Sequence, residues 1–181
     1  MAHEIETMAF AHTPPWHGLG VPVPADIGTD EMLVRAGLDW TVEKEPMFLK
    51  AGKALAPVPH HHALVRSTDR KVLSVVGSAY HPVQNHEAMA FFRAFVEAGD
   101  MTLETAGSLQ GGKRIWALAS LRDGFTLAGG DEVKGYLLLT NPHVQNAALT
   151  AMFTPIRVVC ANTLAMALRG DGAGIYRHAH F

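Results

Sequence analysis

The sequence predicts an α+β domain: a largely antiparallel sheet backed by two or three helices and entered through an extended, proline-rich N-terminal arm. Two observations carry this. Strand-like runs come in groups separated by single helix-periodic segments, in the order α-β-β-β-α-β-β-β-β-α-β. The balance of 48% hydrophobic to 18% charged residues over 181 positions suits one packed core and is far from that of a disordered chain. The expected division is an arm over residues 1–28 and a single domain over 29–181.

In the arm, "HTPPWHGLGVPVPADIG" is crowded with proline and glycine, which fix φ, remove donors and interrupt regular elements. Trp16 and Leu19 are expected to pin it to its own domain. "TDEMLVRAGLDW" reads as a short helix, with Thr29 as N-cap, acids in the first turn and Gly37 at the end. "WTVEKEPMFL" alternates as a strand does, and "HALVRSTDRKVLSVVG" reads as a hairpin turned at "STDRK". In "YHPVQNHEAMAFFRAFVEAGD" the period changes. Asn85 is placed to cap, Met89, Phe92 and Val96 form a helical stripe flanked by Phe91 and Phe95, and Gly99 stops the helix. "MTLETAGSLQGGKRIWALASL" is a second hairpin, turned at Gly111-Gly112. "EVKGYLLLTNPH" and "NAALTAMF" are further strands.

The segment "FTPIRVVCANTLAMALR" predicts a helix capped by Thr154 with Pro155 at its first position. Ile156, Val159, Cys160, Thr163, Leu164, Ala167 and Leu168 then share its apolar face. This places Cys160 in the second turn, facing the core. Free cysteine is among the most buried residue types, and a nucleophilic thiol belongs instead at a helix start beside an imidazole. The tail "GDGAGIYRHAHF" is a glycine turn followed by a last strand.

Several function classes lose support from composition and spacing. No run of about 18 apolar residues offers a membrane span, so no membrane partner is expected. "MAHEIETMAF" lacks the order of a secretory signal. A single cysteine cannot form an internal disulfide, and a cytosolic setting is expected. There is no phosphate-loop glycine-lysine signature, no GxSxG elbow and no CxxC, and "GLG" at 18–20 follows no strand. No cofactor, metal site or catalytic set is expected from local spacing. His60–His62 are consecutive and would face alternately along a strand, and His81 and His86 are five apart without a zincin's glutamate.

The net charge of −2 gives no overall field for a polyanion, but it is unevenly spread. Residues 1–90 carry seven basic and ten acidic residues, a balance of −3, and residues 91–181 carry eight and seven, a balance of +1. From Thr140 onward Arg157, Arg169 and Arg177 face a single acid, Asp171. On a continuous helix Arg157 and Arg169 would lie within about 120° of each other, off the apolar stripe. Lys113 and Arg114 follow the hairpin turn, with Trp116 beyond. A basic hairpin beside a basic helix can track a phosphate backbone, with Trp116 or Tyr176 stacking on bases.

The words "PPWHGLGVPV", "YHPVQNHEAMAFF", "LTNPHVQNAALTAMFTPIRVVCANTLAMAL" and "YRHAHF" together resemble the phage/plasmid-like family of domain of unknown function 932. The residues concerned are Trp16, His17, Leu19 and Gly20; Tyr80, Pro82, Gln84 and Asn85; and Thr154, Pro155, Arg157, Val158, Cys160, Asn162, Thr163 and Leu164. Members of that family are usually longer, so this chain is expected to be a truncated or minimal version. The resemblance implies a setting among mobile elements. By fold analogy the strand-and-helix order looks like that of Rad52-type single-strand annealing proteins, which form rings and lay single-stranded DNA in a basic groove.

Three functional expectations follow. The first is a non-enzymatic module that binds single-stranded nucleic acid as a homo-oligomer through Arg157, Arg169, Lys113, Arg114, Arg177, Trp116 and Tyr176. The second is a metal- or histidine-dependent enzyme using His17, His81 and His143. The third is a protein-interaction module that counters a host defence and clasps its partner with the Trp16 arm.

Overall fold

A computed structural model of the chain describes residues 4–122, 125–126, 132–170 and 176–180. The elements run β1 (Ile5–Phe10), β2 (Val21–Pro22), α1 (Thr29–Arg35), β3 (Val42–Ala51), β4 (Ala54–Arg66), β5 (Val72–Gly77), α2 (Asn85–Ala98), β6 (Thr102–Leu109), β7 (Arg114–Ser120), β8 (Phe125–Thr126), β9 (Glu132–Val133), β10 (Tyr136–Pro142), β11 (Ala148–Thr154), α3 (Ala161–Arg169) and β12 (Tyr176–Ala179).

The fold is α+β, as the pattern predicts. Seven strands form the main sheet in the order β12-β11-β10-β7-β6-β1-β2, and β3-β4-β5 form a second sheet. Every pairing is antiparallel except β1 with β2. Alternation along the strands gives the main sheet two apolar faces. Ile115, Ala117, Ala119, Leu137 and Leu139 join Met32, Leu33, Met89 and Phe92 of α1 and α2 in one core, together with Leu64, Leu73 and Val76 of the second sheet. Trp116, Leu118, Leu138 and Met152 join Leu164 and Ala167 of α3 in the other. Gly107 opposes Trp116, and a Cβ there would meet the indole at 2.4 Å, so glycine is what lets the ring lie across the strand. No helix among the described residues is long and apolar enough to cross a membrane.

Part of the expected N-terminal arm is sheet. β1 pairs along its length with β6, and Met8, Ala9 and Phe10 are buried. Arg66 of β4 grips Glu6 through two hydrogen bonds of 2.9 and 3.0 Å, so β1 is also fastened to the second sheet. Only the proline-containing loop behaves as expected, and its anchor is different. Trp16 is 73% exposed. The neighbouring His17 does the pinning, donating Nε2–H to the Val159 carbonyl at 3.0 Å while its Nδ1 accepts from Leu19 N–H.

The helix expected from Thr154 begins at Ala161. Thr154 still pairs with Tyr136 in the sheet. Thr105 Oγ1 donates to the Val158 carbonyl at 2.7 Å and His17 Nε2–H to that of Val159, bonds that tie this segment to other parts of the fold ahead of the helix. Cys160 is therefore the N-cap residue rather than a second-turn residue. It is buried, as expected, at 1% exposure. Smaller shifts occur at the other helices. Gly28 precedes α1, and Gln84 caps α2, with Glu87 accepting its N–H at 2.8 Å. The long β3–β4 hairpin, turned at Gly52 (φ +63°), is an element the pattern does not reveal.

Candidate functional site

One end of the main sheet collects residues from distant parts of the chain. In register, Leu109 of β6 faces Arg114 of β7, Arg114 faces Pro142 of β10, and Ala148 of β11 faces Ala179 of β12. The turn at Gly111-Gly112, both at positive φ (+67° and +91°), brings Lys113 beside them. The Lys113 carbonyl accepts from His143 N–H at 2.8 Å.

On the α3 side of this end, Arg114 lines a depression of about 370 Å³ with Gln110, Glu4 and the first residues of α3, Ala161 and Asn162. Arg114 is half-buried, and burial lowers its pKa. Among the described residues no carboxylate lies within ion-pair distance of it; Glu4, which lines the same depression, accepts from Gln110 Nε2 at 2.6 Å. The start of α3 adds amide groups and the positive end of a helix dipole. The arrangement suits an anion.

On the opposite side lies a buried polar centre. Asn85 Nδ2 donates to the carbonyls of Leu38 (3.0 Å) and Trp40 (3.3 Å), leaving its Oδ1 to accept from His143 Nε2–H at 2.8 Å. Asn141 Nδ2 donates to the Val83 carbonyl, and Val83 N–H donates to His180 Nδ1. Tyr80 stacks on His180 (5.0 Å between centroids) and donates its hydroxyl to the Pro142 carbonyl at 3.3 Å. The hydrogen-bond partners place the Nε2 proton on both imidazoles, and burial disfavours a second proton. Burial holds the His143 pKa down at about 3 and lowers that of His180. Burial also raises that of Tyr80. Among the described residues His143 Nδ1, His180 Nε2 and Asn141 Oδ1 have no partner. Tyr80 and His180 also line an apolar depression of about 630 Å³, walled by Ala79, Ala147, Ala148 and Ala179.

The predicted phosphate contacts divide. Lys113 and Arg114 share the end just described. Arg177 lies exposed on the edge strand β12, on the α3 face, opposite Thr150. Arg169 is exposed in the last turn of α3, far from Arg114 at its first. Arg157 precedes the helix and is bound by Glu104 (3.4 Å) and the Thr13 carbonyl (2.6 Å), so it serves the fold. Trp116, expected to stack on bases, is fully buried in the structure, with its N–H given to Thr105 Oγ1 at 3.1 Å. Tyr176 is 45% exposed, but it lies against Phe91 on the face opposite Arg177.

The three histidines expected to act together are not brought to one place. His17 is on the α3 side, while His143 is buried on the α2 side. His81 reaches the polar centre through its backbone N–H, which donates to the His180 carbonyl at 2.7 Å. Among the described residues no three His, Cys, Asp or Glu side chains gather to hold a metal. Cys160 has Thr163 Oγ1 as its polar neighbour at 3.5 Å. The polar centre was missed as a unit, although each of its words stands out in the sequence. The signal available was the recurrence of Asn, His and Tyr in otherwise apolar strand and helix starts.

No curated protein and no solved structure matches the chain. A family model matches residues 72–180, more than half of the chain and the span that holds Tyr80, Asn85, Asn141, His143 and His180. The chain therefore belongs to the family described as Domain of unknown function (DUF932).

Proposed function

We propose that this protein is a nucleic-acid-binding module of phage or plasmid type, which engages the phosphate backbone of a single strand at the Lys113–Arg114 end of its main sheet. One observation carries the reading: Arg114 is half-buried beside the start of α3 and has no carboxylate partner among the described residues. A guanidinium partly withdrawn from water without a counter-charge is costly, and an incoming phosphate oxygen supplies the missing acceptor. Lys113 is exposed next to it, and Arg177 lies on the same face of the sheet. With a net charge of −2 the contact must be local, involving about three phosphates rather than a long track.

A fluorescence-anisotropy titration with a labelled single-stranded oligonucleotide tests this. Raising monovalent salt from about 50 to about 200 mM should weaken binding by roughly twentyfold, and Lys113→Ala with Arg114→Ala should lower the salt slope by about 1.4. Absence of binding by micromolar protein at the lower salt would remove the reading.

A further inference from the structure

The β3–β4 hairpin outgrows the body of the protein. Between Pro46 and His62 it pairs only with itself from Phe48↔Pro57 to Ala51↔Ala54, because β5 begins to pair at His61. Phe48 is 56% exposed, Leu49 64% and Leu55 70%. Phe48 and Leu49 are consecutive on a strand and face opposite ways, so both faces of the finger are bare. A two-stranded hairpin with neither face covered is marginal in water, and large exposed apolar side chains clustered on one element mark an interface.

The charge of the finger narrows its partner. No acidic residue occurs between Glu45 and Asp69, while Lys50 and Lys53 flank the tip. The body offers the complement. Between α1 and α2 is a depression of about 380 Å³ with Ile27, Val96, Met101 and Leu103 as apolar floor and Asp26, Asp30, Glu31 and Glu97 around it. Asp30 is matched by Arg93 at 2.8 Å; no ion pair among the described residues engages Asp26, Glu31 or Glu97. Within one chain the finger's large apolar side chains stay exposed.

We propose that the 46–62 finger of one copy docks in the acidic α1–α2 depression of a second copy by the face that carries Phe48, Lys50 and Leu55, Phe48 and Leu55 covering the apolar floor and Lys50 and Lys53 meeting its carboxylates. The contact joins two different surfaces, so copies add head to tail and close into a ring or extend into a filament. It is independent of the phosphate site.

Sedimentation velocity of the full chain tests it, at concentrations up to about 100 µM, where a micromolar contact is populated. The wild type should sediment as species heavier than one chain, and Phe48→Asp with Leu55→Asp should sediment as a monomer with an unchanged circular dichroism spectrum. Lys50→Glu with Lys53→Glu, and separately Glu31→Lys with Glu97→Lys, should each be monomeric alone and associate again when mixed. This rescue cannot come from misfolding. A monomeric wild type at the highest concentration would overturn the proposal, as would finger variants of wild-type mass or a mixture that stays monomeric. Finger variants that lose oligonucleotide binding while keeping wild-type mass would assign the finger to nucleic acid and overturn it as well.

Discussion

His143 shows how much one side chain can be made to depend on its surroundings. It is fully buried, donates to Asn85 Oδ1, and lies against Trp40 at 5.4 Å. In the unfolded chain the imidazole titrates near 6.5, and in the fold burial holds it at about 3. The folded state thus binds fewer protons between these values. The stability due to the neutral ring is fully present above pH 6.5 and is lost as pH falls toward about 3. Urea denaturation at pH 7 and pH 5 should show a loss of about 2 kcal/mol from this site, with uptake of about one proton on unfolding. A flat profile would mean that the ring is reached by water. Nothing local in the sequence marks His143 as a core residue, because Asn-Pro-His next to Gln-Asn has the composition of a turn. What buries it is α2, packed over the end of β10, a contact between segments 58 residues apart that no local pattern encodes.

At the scale of elements, the strands were legible and their limits less so. The Gly111-Gly112 turn, the stripe of α2 and the apolar runs of β10 and β11 stand where alternation and periodicity put them. α3 was misread at its start because an i, i+3, i+4 pattern of apolar residues runs unbroken from Ile156. The first part of that pattern is an extended segment whose carbonyls are taken by Thr105 and His17. The side chain that fixes the start of the helix is that of Thr163 in its first turn, whose Oγ1 accepts N–H groups from Val159 (2.9 Å) and Cys160 (3.0 Å). Thr163→Val keeps the shape and removes the acceptor, and should cost about 1 kcal/mol in chemical denaturation. The same variant should leave Cys160 unreactive toward a thiol reagent in the native state. Rapid labelling of the wild type would contradict the burial of that sulfur. The β3–β4 finger went unseen because "PMFLKAGKALAPVP" interrupts alternation with prolines, and those prolines are tolerated only because the finger has open edges.

The whole molecule depends on its first strand more than a proline-rich N-terminus suggests. β1 fills a place in the main sheet between β6 and β2, and Arg66 bonded to Glu6 and Asp69 ties it to the second sheet. Removing residues 1–28 should therefore expose Leu109 and Trp116 and lower the stability by several kcal/mol, in contrast to the trimming of a loose arm. A truncated chain with an unshifted urea midpoint would restore the arm. The family match begins at Val72, so the finger and β1 both lie outside the matched residues, while the polar centre and the Arg114 depression's α3 wall lie inside them. The position of β1 has a consequence for biosynthesis. Ile5 must find Leu109, and Phe10 must find Thr105. A ribosome adding about 5–20 residues per second delivers these partners roughly 5–20 s later. For that interval Met8, Ala9 and Phe10 are a sticky, unmated ribbon at the tunnel mouth, which makes this segment the one for which a nascent-chain chaperone has the most reason to compete.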